Sequence, residues 1–257
     1  MQKRHIPGAL AAILVCGLAL VGCAGAEAEP RPTQAAVEPS PTASEPDPTP
    51  EPEPEFDRTL HSIDDPMSIW VVSNKRRPLN PIDAVPGDLS MPVGVENEFS
   101  QPLREPAARA VEALVAEAYA AGHTVRIISA YRDYGTQSVL YNGYIARDGQ
   151  AAADTYSARP GHSEHQTGLA VDFDDFGSCY LNPCFGETPA GAWLAEHAAA
   201  YGFIVRYPAG MEHITGFMPE PWHFRYVGPE LATEMKRTGT TTLEEFFGLE
   251  PAPDYGG

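Results

Sequence analysis

Apolar residues change their spacing several times along the chain, and each change marks an element. From Ile6 to Val21 they run almost unbroken, and between residues 24 and 55 they nearly vanish. From about residue 57 onward, alternating and helical spacings take over. Ile69, Trp70, Val71 and Val72 form a short apolar run that predicts a strand. Ala107, Val111, Leu114, Val115 and Ala118 share one face of a helix predicted over 104–121, with Gly122 as its stop. A strand over 125–129, an amphipathic helix over 134–147 and a polar loop over 148–161 follow. Over 169–173 the alternation places Leu169, Val171 and Phe173 on one face of a strand, Ala170 and Asp172 on the other. A helix over 190–201 ends at Gly202, and strands follow at 203–206 and 222–227. Helices over 229–236 and 242–247 close the chain. The second has Thr242 as a candidate N-cap, with Glu244 and Glu245 in its first turn. Strands and helices interleave without a regular β-α-β repeat or a glycine-rich phosphate loop. The expected fold is α+β, a small and mainly antiparallel sheet flanked by helices.

The unbroken apolar run follows Lys3 and Arg4 and precedes small residues, the layout of a secretory signal. Leu20-Val21-Gly22-Cys23 resembles the bacterial lipobox, so residues 1–22 are expected to be a lipoprotein signal peptide and Cys23 to carry the lipid. An ordinary signal peptide cut nearby is the alternative. Residues 23–56 are rich in Pro and Glu and have almost nothing to bury, which predicts a disordered linker. In extended form it would reach on the order of 100 Å. It serves either as a tether into the wall layer or as a passive spacer. Residues 57–257 then form one domain, large enough for a single core. The expected location is outside the cell, anchored to the outer face of the bacterial membrane. A net charge of −18 argues against nucleic acid, because phosphate contacts need a basic surface. It also disfavours a polybasic membrane patch.

The chain has four cysteines and no CxxC pair, which makes a cysteine-based zinc ribbon a poor fit. In an exported chain, Cys179 and Cys184 read as a small disulfide loop. Free thiols as further metal ligands are the weaker reading, because a nitrogen and oxygen ligand set is already complete without them.

That set is His165, Asp172 and His223: two imidazoles and a carboxylate, the ligands of a zinc site with its fourth position open. Gly168 allows a turn after His165 that aims Asp172 back toward it. Glu220 stands three residues before His223, within reach of a metal-bound water without binding the metal. No His-Glu-x-x-His helix occurs, which excludes the common metalloprotease arrangement. His5, His61, His123 and His197 read as structural or surface residues. His162 and His213 lie close to the site in sequence. The residues alone read as a zinc hydrolase.

Asn74-Lys75 with Pro78-Leu79, Ser129-Ala130-Tyr131-Arg132 with Gln137, Pro160 through Asp172, and Thr215-Gly216 before Glu220-Pro221-Trp222-His223-Phe224-Arg225 together resemble the VanY-type zinc D-alanyl-D-alanine carboxypeptidases. The match runs from about residue 70 to 237 and implies the hedgehog/DD-peptidase fold. It also implies one Zn2+ per domain held by His165, Asp172 and His223, with Glu220 as catalytic base. Arg132 would stabilise the charged intermediate, and Gln137, Ser157 and Ser163 would contact the peptide. The Cys179–Cys184 insert departs from the family pattern. The implied substrates are peptidoglycan stem peptides or their precursors. Recognition of a terminal carboxylate needs cationic or hydroxyl groups, for which Ser157, Ser163 and Arg159 are candidates. Tyr131 and Trp222 are candidate pocket walls, although aromatic residues beside strands more often belong to the core.

Two other readings keep the metal site. A related zinc peptidase would cleave inside the stem peptide or act on a D,D-dipeptide. A non-catalytic zinc-bearing module would hold wall peptide without cutting it, and Glu220 stands against that.

Overall fold

A computed structural model describes residues 55–256. The expected signal segment, Cys23 and nearly all of the linker lie outside the described residues. In chain order the elements are strands β1 (Leu89–Ser90) and β2 (Leu103–Arg104), helix α1 (Glu105–Ala120) and strand β3 (Arg126–Ser129). Helices α2 (Tyr134–Asp148) and α3 (Gln150–Ala153), strand β4 (Ala170–Asp174) and helix α4 (Pro189–His197) come next. Strand β5 (Phe203–Tyr207), helix α5 (Glu212–Thr215), strand β6 (Glu220–Tyr226) and helices α6 (Pro229–Thr238) and α7 (Leu243–Phe246) complete the chain.

The ends of several helices follow from local chemistry. Pro106 fits the first turn of α1, where its missing N–H costs nothing. Asp133 caps α2 by accepting from the Thr136 N–H at 2.7 Å, and Thr242 caps α7 by accepting from the Glu245 N–H at 3.2 Å. The main sheet has four strands in the order β3-β4-β6-β5, all neighbours antiparallel. Strand β4 is therefore an inner strand, and all five of its residues are buried. Its Leu169-side face joins α1 and α4 in one core, where the Phe173 and Phe224 rings meet edge-on at 5.5 Å. A second cluster packs Trp70 and Val72 against Leu231, Met235, Leu243 and Phe246 from α6 and α7.

The antiparallel α+β expectation holds, and several local expectations are corrected. Ile69 is partly buried and Trp70 to Val72 fully so, yet the segment forms no strand. The Arg225 guanidinium donates to the carbonyls of Ile69 (3.2 Å) and Val71 (2.7 Å), and the Trp70 indole N–H donates to the Val227 carbonyl at 2.8 Å. Side chains satisfy this segment's backbone where a ladder was expected. Strand β6 begins at Glu220, two residues earlier than the apolar pattern suggested. The expected helix over 190–201 changes to a 3₁₀ turn after His197, the polar loop contains α3, and α5 was not foreseen. Cys179 and Cys184 form a disulfide with their Cα atoms 5.5 Å apart. Among the described residues, no helix is long and apolar enough to cross a membrane.

Candidate metal centre

The chain reaches the centre through a 3₁₀ turn, Glu164 to Thr167, that ends on Gly168. Gly168 has φ +68°, and a Cβ there would lie 3.0 Å from Arg104 Cγ and 3.3 Å from the Arg104 backbone nitrogen. Only glycine fits this left-handed and crowded position. Its N–H donates to the His165 carbonyl at 3.2 Å, closing the turn that brings His165 beside β4. The strands do the rest. Asp172 lies opposite Ser129 in β3 and opposite His223 in β6.

His165, Asp172 and His223 are all buried, and one ligand atom from each lies within 4.8 Å of the others. His223 Nδ1 is 3.0 Å from Asp172 Oδ1, and His165 Nε2 is 3.3 Å from Asp172 Oδ2. The two rings stand nearly perpendicular, at 89°. Each imidazole is oriented from behind. His165 Nδ1 donates to the Ala130 carbonyl at 2.7 Å, and His223 Nε2 faces Glu164 Oε2 at 3.5 Å. Such outer partners fix which nitrogen a histidine presents to a metal.

The residues fit zinc. Donors ~2.0–2.1 Å from one tetrahedral ion stand roughly 3.4 Å apart; here each imidazole lies 3.0 or 3.3 Å from an Asp172 oxygen, and the three ligand atoms fall within 4.8 Å of one another. Asp172 Oδ1 is buried without a hydrogen-bond partner, an acceptor that a cation would satisfy. Burial opposes charge on His223, yet the facing Asp172 and Glu164 carboxylates outweigh this and push it up to about 9. The carboxylates facing His223 thus favour positive charge on that side, while burial, with Arg132 adding to it, holds His165 below its ordinary value. Burial also pushes the Asp172 carboxyl up, but His165 and His223 hold it well below the usual carboxylate range.

Glu220 is 8% exposed, and its Oε2 lies 3.7 Å from His223 Nδ1. Burial pushes it up to about 8, with Asp172 adding to the effect and His223 and Arg132 opposing it. It stands at the start of β6, on the same strand as His223. Arg132 follows β3, its backbone N–H bonded to the His165 carbonyl at 3.2 Å, and its Nε has no partner among the described residues.

All of these groups line one cavity of ≈ 660 Å³, together with Gln137, Ser157 and Ser163. Gln137 Nε2 donates to the Ala158 carbonyl at 2.6 Å and approaches Ser157 Oγ at 3.4 Å, which ties α2 to the loop beside the site. Trp222 also lines the cavity, whereas Tyr131 does not. Arg159 stays outside as well. Its guanidinium pairs with Asp154 at 2.9 Å and covers the Tyr255 ring at 4.0 Å, so its charge is committed elsewhere. His162 Nδ1 lies 2.7 Å from the Asn74 carbonyl, away from the lining, and His213 is likewise outside it.

The sequence reading missed Glu164. It is 1% exposed, and its Oε1 accepts from Arg206 Nε at 2.9 Å and from Arg225 Nη1 at 2.7 Å. Arg206 also donates twice to Glu244, at 2.9 and 2.7 Å. Two buried arginines and two buried glutamates therefore form one network behind His223. The signal was available: Arg206 and Arg225 interrupt apolar strands, and a charge placed there demands a buried partner.

The profile of the family described as VanY, D-alanyl-D-alanine carboxypeptidase, matches residues 100–229. YodJ of Bacillus subtilis (strain 168), provisionally named a carboxypeptidase, is 38% identical over 194 residues, 73% of this chain and 70% of that one. The solved LdcB LD-carboxypeptidase, described for its recognition of peptidoglycan, aligns with a TM-score of 0.66 at 38% identity. That alignment covers 71% of this chain and 87% of the other. The vancomycin-resistance D,D-pentapeptidase VanY of the VanB-type cassette, solved in complex with Zn(II), aligns with a TM-score of 0.58 at 31% identity, over 68% and 97%. With its fold, its His-Asp-His centre and these likenesses, the chain belongs to the VanY family of peptidoglycan-directed hydrolases.

Proposed function

We propose that the chain is a zinc carboxypeptidase that removes the terminal D-alanine from peptidoglycan stem peptides ending in D-Ala-D-Ala. One observation carries the reading. His165, Asp172 and His223 converge on a point inside the same cavity that holds Glu220 and Arg132.

His165 through Nε2, Asp172 through its carboxylate and His223 through Nδ1 would hold the ion. A bound zinc supplies Lewis acidity, polarising a carbonyl and making water easier to deprotonate. Glu220 takes the proton from the attacking water and passes it to the leaving amine. Burial raises the proton affinity of this carboxyl, which suits a group that must pick up a proton and then hand it on. Arg132 places a guanidinium beside the oxygen on which negative charge develops. Gln137, Ser157 and Ser163 supply the uncharged polar contacts that hold the peptide, and the Ser hydroxyls suit its terminal carboxylate. Glu220 disfavours a module that only binds peptide, since it adds nothing to metal ligation.

A second reading has one observation in its favour. The LD-carboxypeptidase LdcB matches at higher identity and TM-score than the D,D-pentapeptidase. An L,D-carboxypeptidase would use the same groups and differ only in the handedness of the residue before the cut.

We also propose the setting read from residues 1–56: an exported lipoprotein anchored through Cys23, with the linker carrying the hydrolase toward the wall. The Cys179–Cys184 disulfide is in keeping with an oxidising compartment.

The test measures zinc content and D-alanine release by the purified protein, with and without a chelator, on two substrates. One is a pentapeptide ending in D-Ala-D-Ala, and the other a tetrapeptide with an L-residue before a terminal D-Ala. Chelator-sensitive release from the pentapeptide is the expected result. Release from the tetrapeptide alone moves the assignment to the L,D reading, and release from neither removes the peptidase reading.

A further inference from the structure

The disulfide-closed loop 179–184 belongs to no part of the chemistry described so far, yet its tip enters the same cavity. Tyr180 and Leu181 both line it, although they are 39% and 44% exposed. Phe99, on a separate loop, joins them in the lining and is 60% exposed. Three large apolar side chains left in water at the mouth of a cavity are costly unless something covers them.

The loop is built to hold that tip still. Cys179 packs against the main core, and Phe185, directly after Cys184, is buried in it. Inside the loop the Asn182 N–H donates to the Cys179 carbonyl at 3.1 Å, and the Cys184 N–H donates to Asn182 Oδ1 at 3.1 Å. Leu181 is held at φ +46°, a conformation that costs a leucine free energy and persists only where surroundings enforce it. Beneath the tip, Arg126 is pinned by Asp174 at 2.9 Å and Glu98 at 3.3 Å. Its guanidinium lies 4.6 Å from the Phe176 ring centre and 5.8 Å from that of Tyr180. A strained, exposed and rigidly mounted apolar tip is what a preorganised contact surface requires.

We propose that Tyr180 and Leu181, presented by the Cys179–Cys184 loop, form a substrate-binding lip for the stem-peptide residues on the N-terminal side of the cleaved bond. The assignment of side comes from chemistry. The departing alanine is small and ends in a carboxylate, which needs donors. Ser157 and Ser163 offer hydroxyl donors from the loop after α3. The lip offers no charge, so it suits the aliphatic body of the longer, retained part of the peptide. The proposal rests on the carboxypeptidase reading, and it makes length preference a property of this loop.

The test compares KM for a D-Ala-D-Ala pentapeptide with KM for N-acetyl-D-Ala-D-Ala, which keeps a single alanine on that side of the bond and lacks the longer body the lip would hold. In a Tyr180→Ala/Leu181→Ala variant the ratio of pentapeptide to dipeptide KM should rise about tenfold, the size expected for losing a modest apolar contact. A Cys179→Ser/Cys184→Ser chain keeps both side chains but opens the loop, and its ratio should move the same way. A ratio unchanged in either variant overturns the proposal. Zinc content and the melting midpoint establish that each variant is folded, and the single alanine variants replace the double one if it is not. If the wild type hydrolyses neither substrate, the carboxypeptidase reading fails on its own. Calorimetric binding of the intact pentapeptide then decides the lip, and equal affinity in wild type and variant overturns it.

Discussion

Glu164 Oε2 lies 3.5 Å from His223 Nε2, and neither atom has another hydrogen-bond partner among the described residues. The pairing leaves Nδ1 of the same ring facing Asp172. His165 is set in the opposite sense, with Nδ1 turned to the Ala130 carbonyl and Nε2 toward Asp172. Two imidazoles thus present different nitrogens to one point because each has a different partner behind it.

Glu164→Gln removes a charge from this pairing and from the two arginines that share the carboxylate. Zinc affinity should fall about 10–100-fold, the usual loss when an outer partner is removed. Stability should drop by roughly 3 kcal/mol or more, because Arg206 and Arg225 are left short of a buried counter-charge. Chelator competition and thermal melting measure the two effects. Unchanged zinc affinity in a folded variant would remove Glu164 from the metal-orienting role.

Glu220→Gln keeps the shape of the side chain but cannot carry a proton from water to amine. Turnover should fall about 10²–10⁴-fold, while zinc content stays at the wild-type level. Metal analysis beside D-alanine release checks both. Loss of zinc together with activity would make Glu220 a ligand.

Arg132→Ala tests the proposed role of its guanidinium in stabilising charge on the reacting carbonyl. The expected loss is about 10²–10³-fold in kcat, again with zinc retained. A change confined to KM would assign Arg132 to substrate binding instead.

Glu244 sets a pH limit on the fold. Burial pushes its carboxyl up, but the Arg206 guanidinium outweighs burial and holds it below its ordinary value of 4.5. Less proton is bound folded than unfolded, so the stabilisation is full above about pH 4.5 and is lost as pH falls through the folded value. Thermal melting between pH 7 and 3 should show this acid decline, and Glu244→Gln should start less stable and decline less steeply. An identical slope in the variant would place the acid sensitivity elsewhere.

Much of this centre was legible in the sequence because its parts are local. Gly168 between His165 and Asp172 can be read as a turn, the alternation from Leu169 to Phe173 as a strand, and the spacing from Glu220 to His223 as one short reach along another. The α1 and α7 boundaries were readable for the same reason, since caps and apolar stripes depend on residues only a few positions apart. Where the reading failed, the deciding partner was distant. Ile69 to Val72 looked like a strand because of its composition, and it became an irregular segment because Arg225, more than 150 positions away, takes two of its carbonyls.

The same division separates Arg159 from Ser157. Both stand in one loop and both suited a carboxylate, but Asp154 and Tyr255 claim the arginine, and the serine keeps its place in the cavity. By itself the sequence determined which residue types could serve as ligands, the turn and strands that carry them, and the carboxylate of Glu220 three positions before His223. The tertiary structure decided which nitrogen each histidine presents, which charges are neutralised behind the site, and which side chains reach its mouth. Those choices depend on contacts between residues far apart in the chain, whose geometry exists only once the sheet has closed around them.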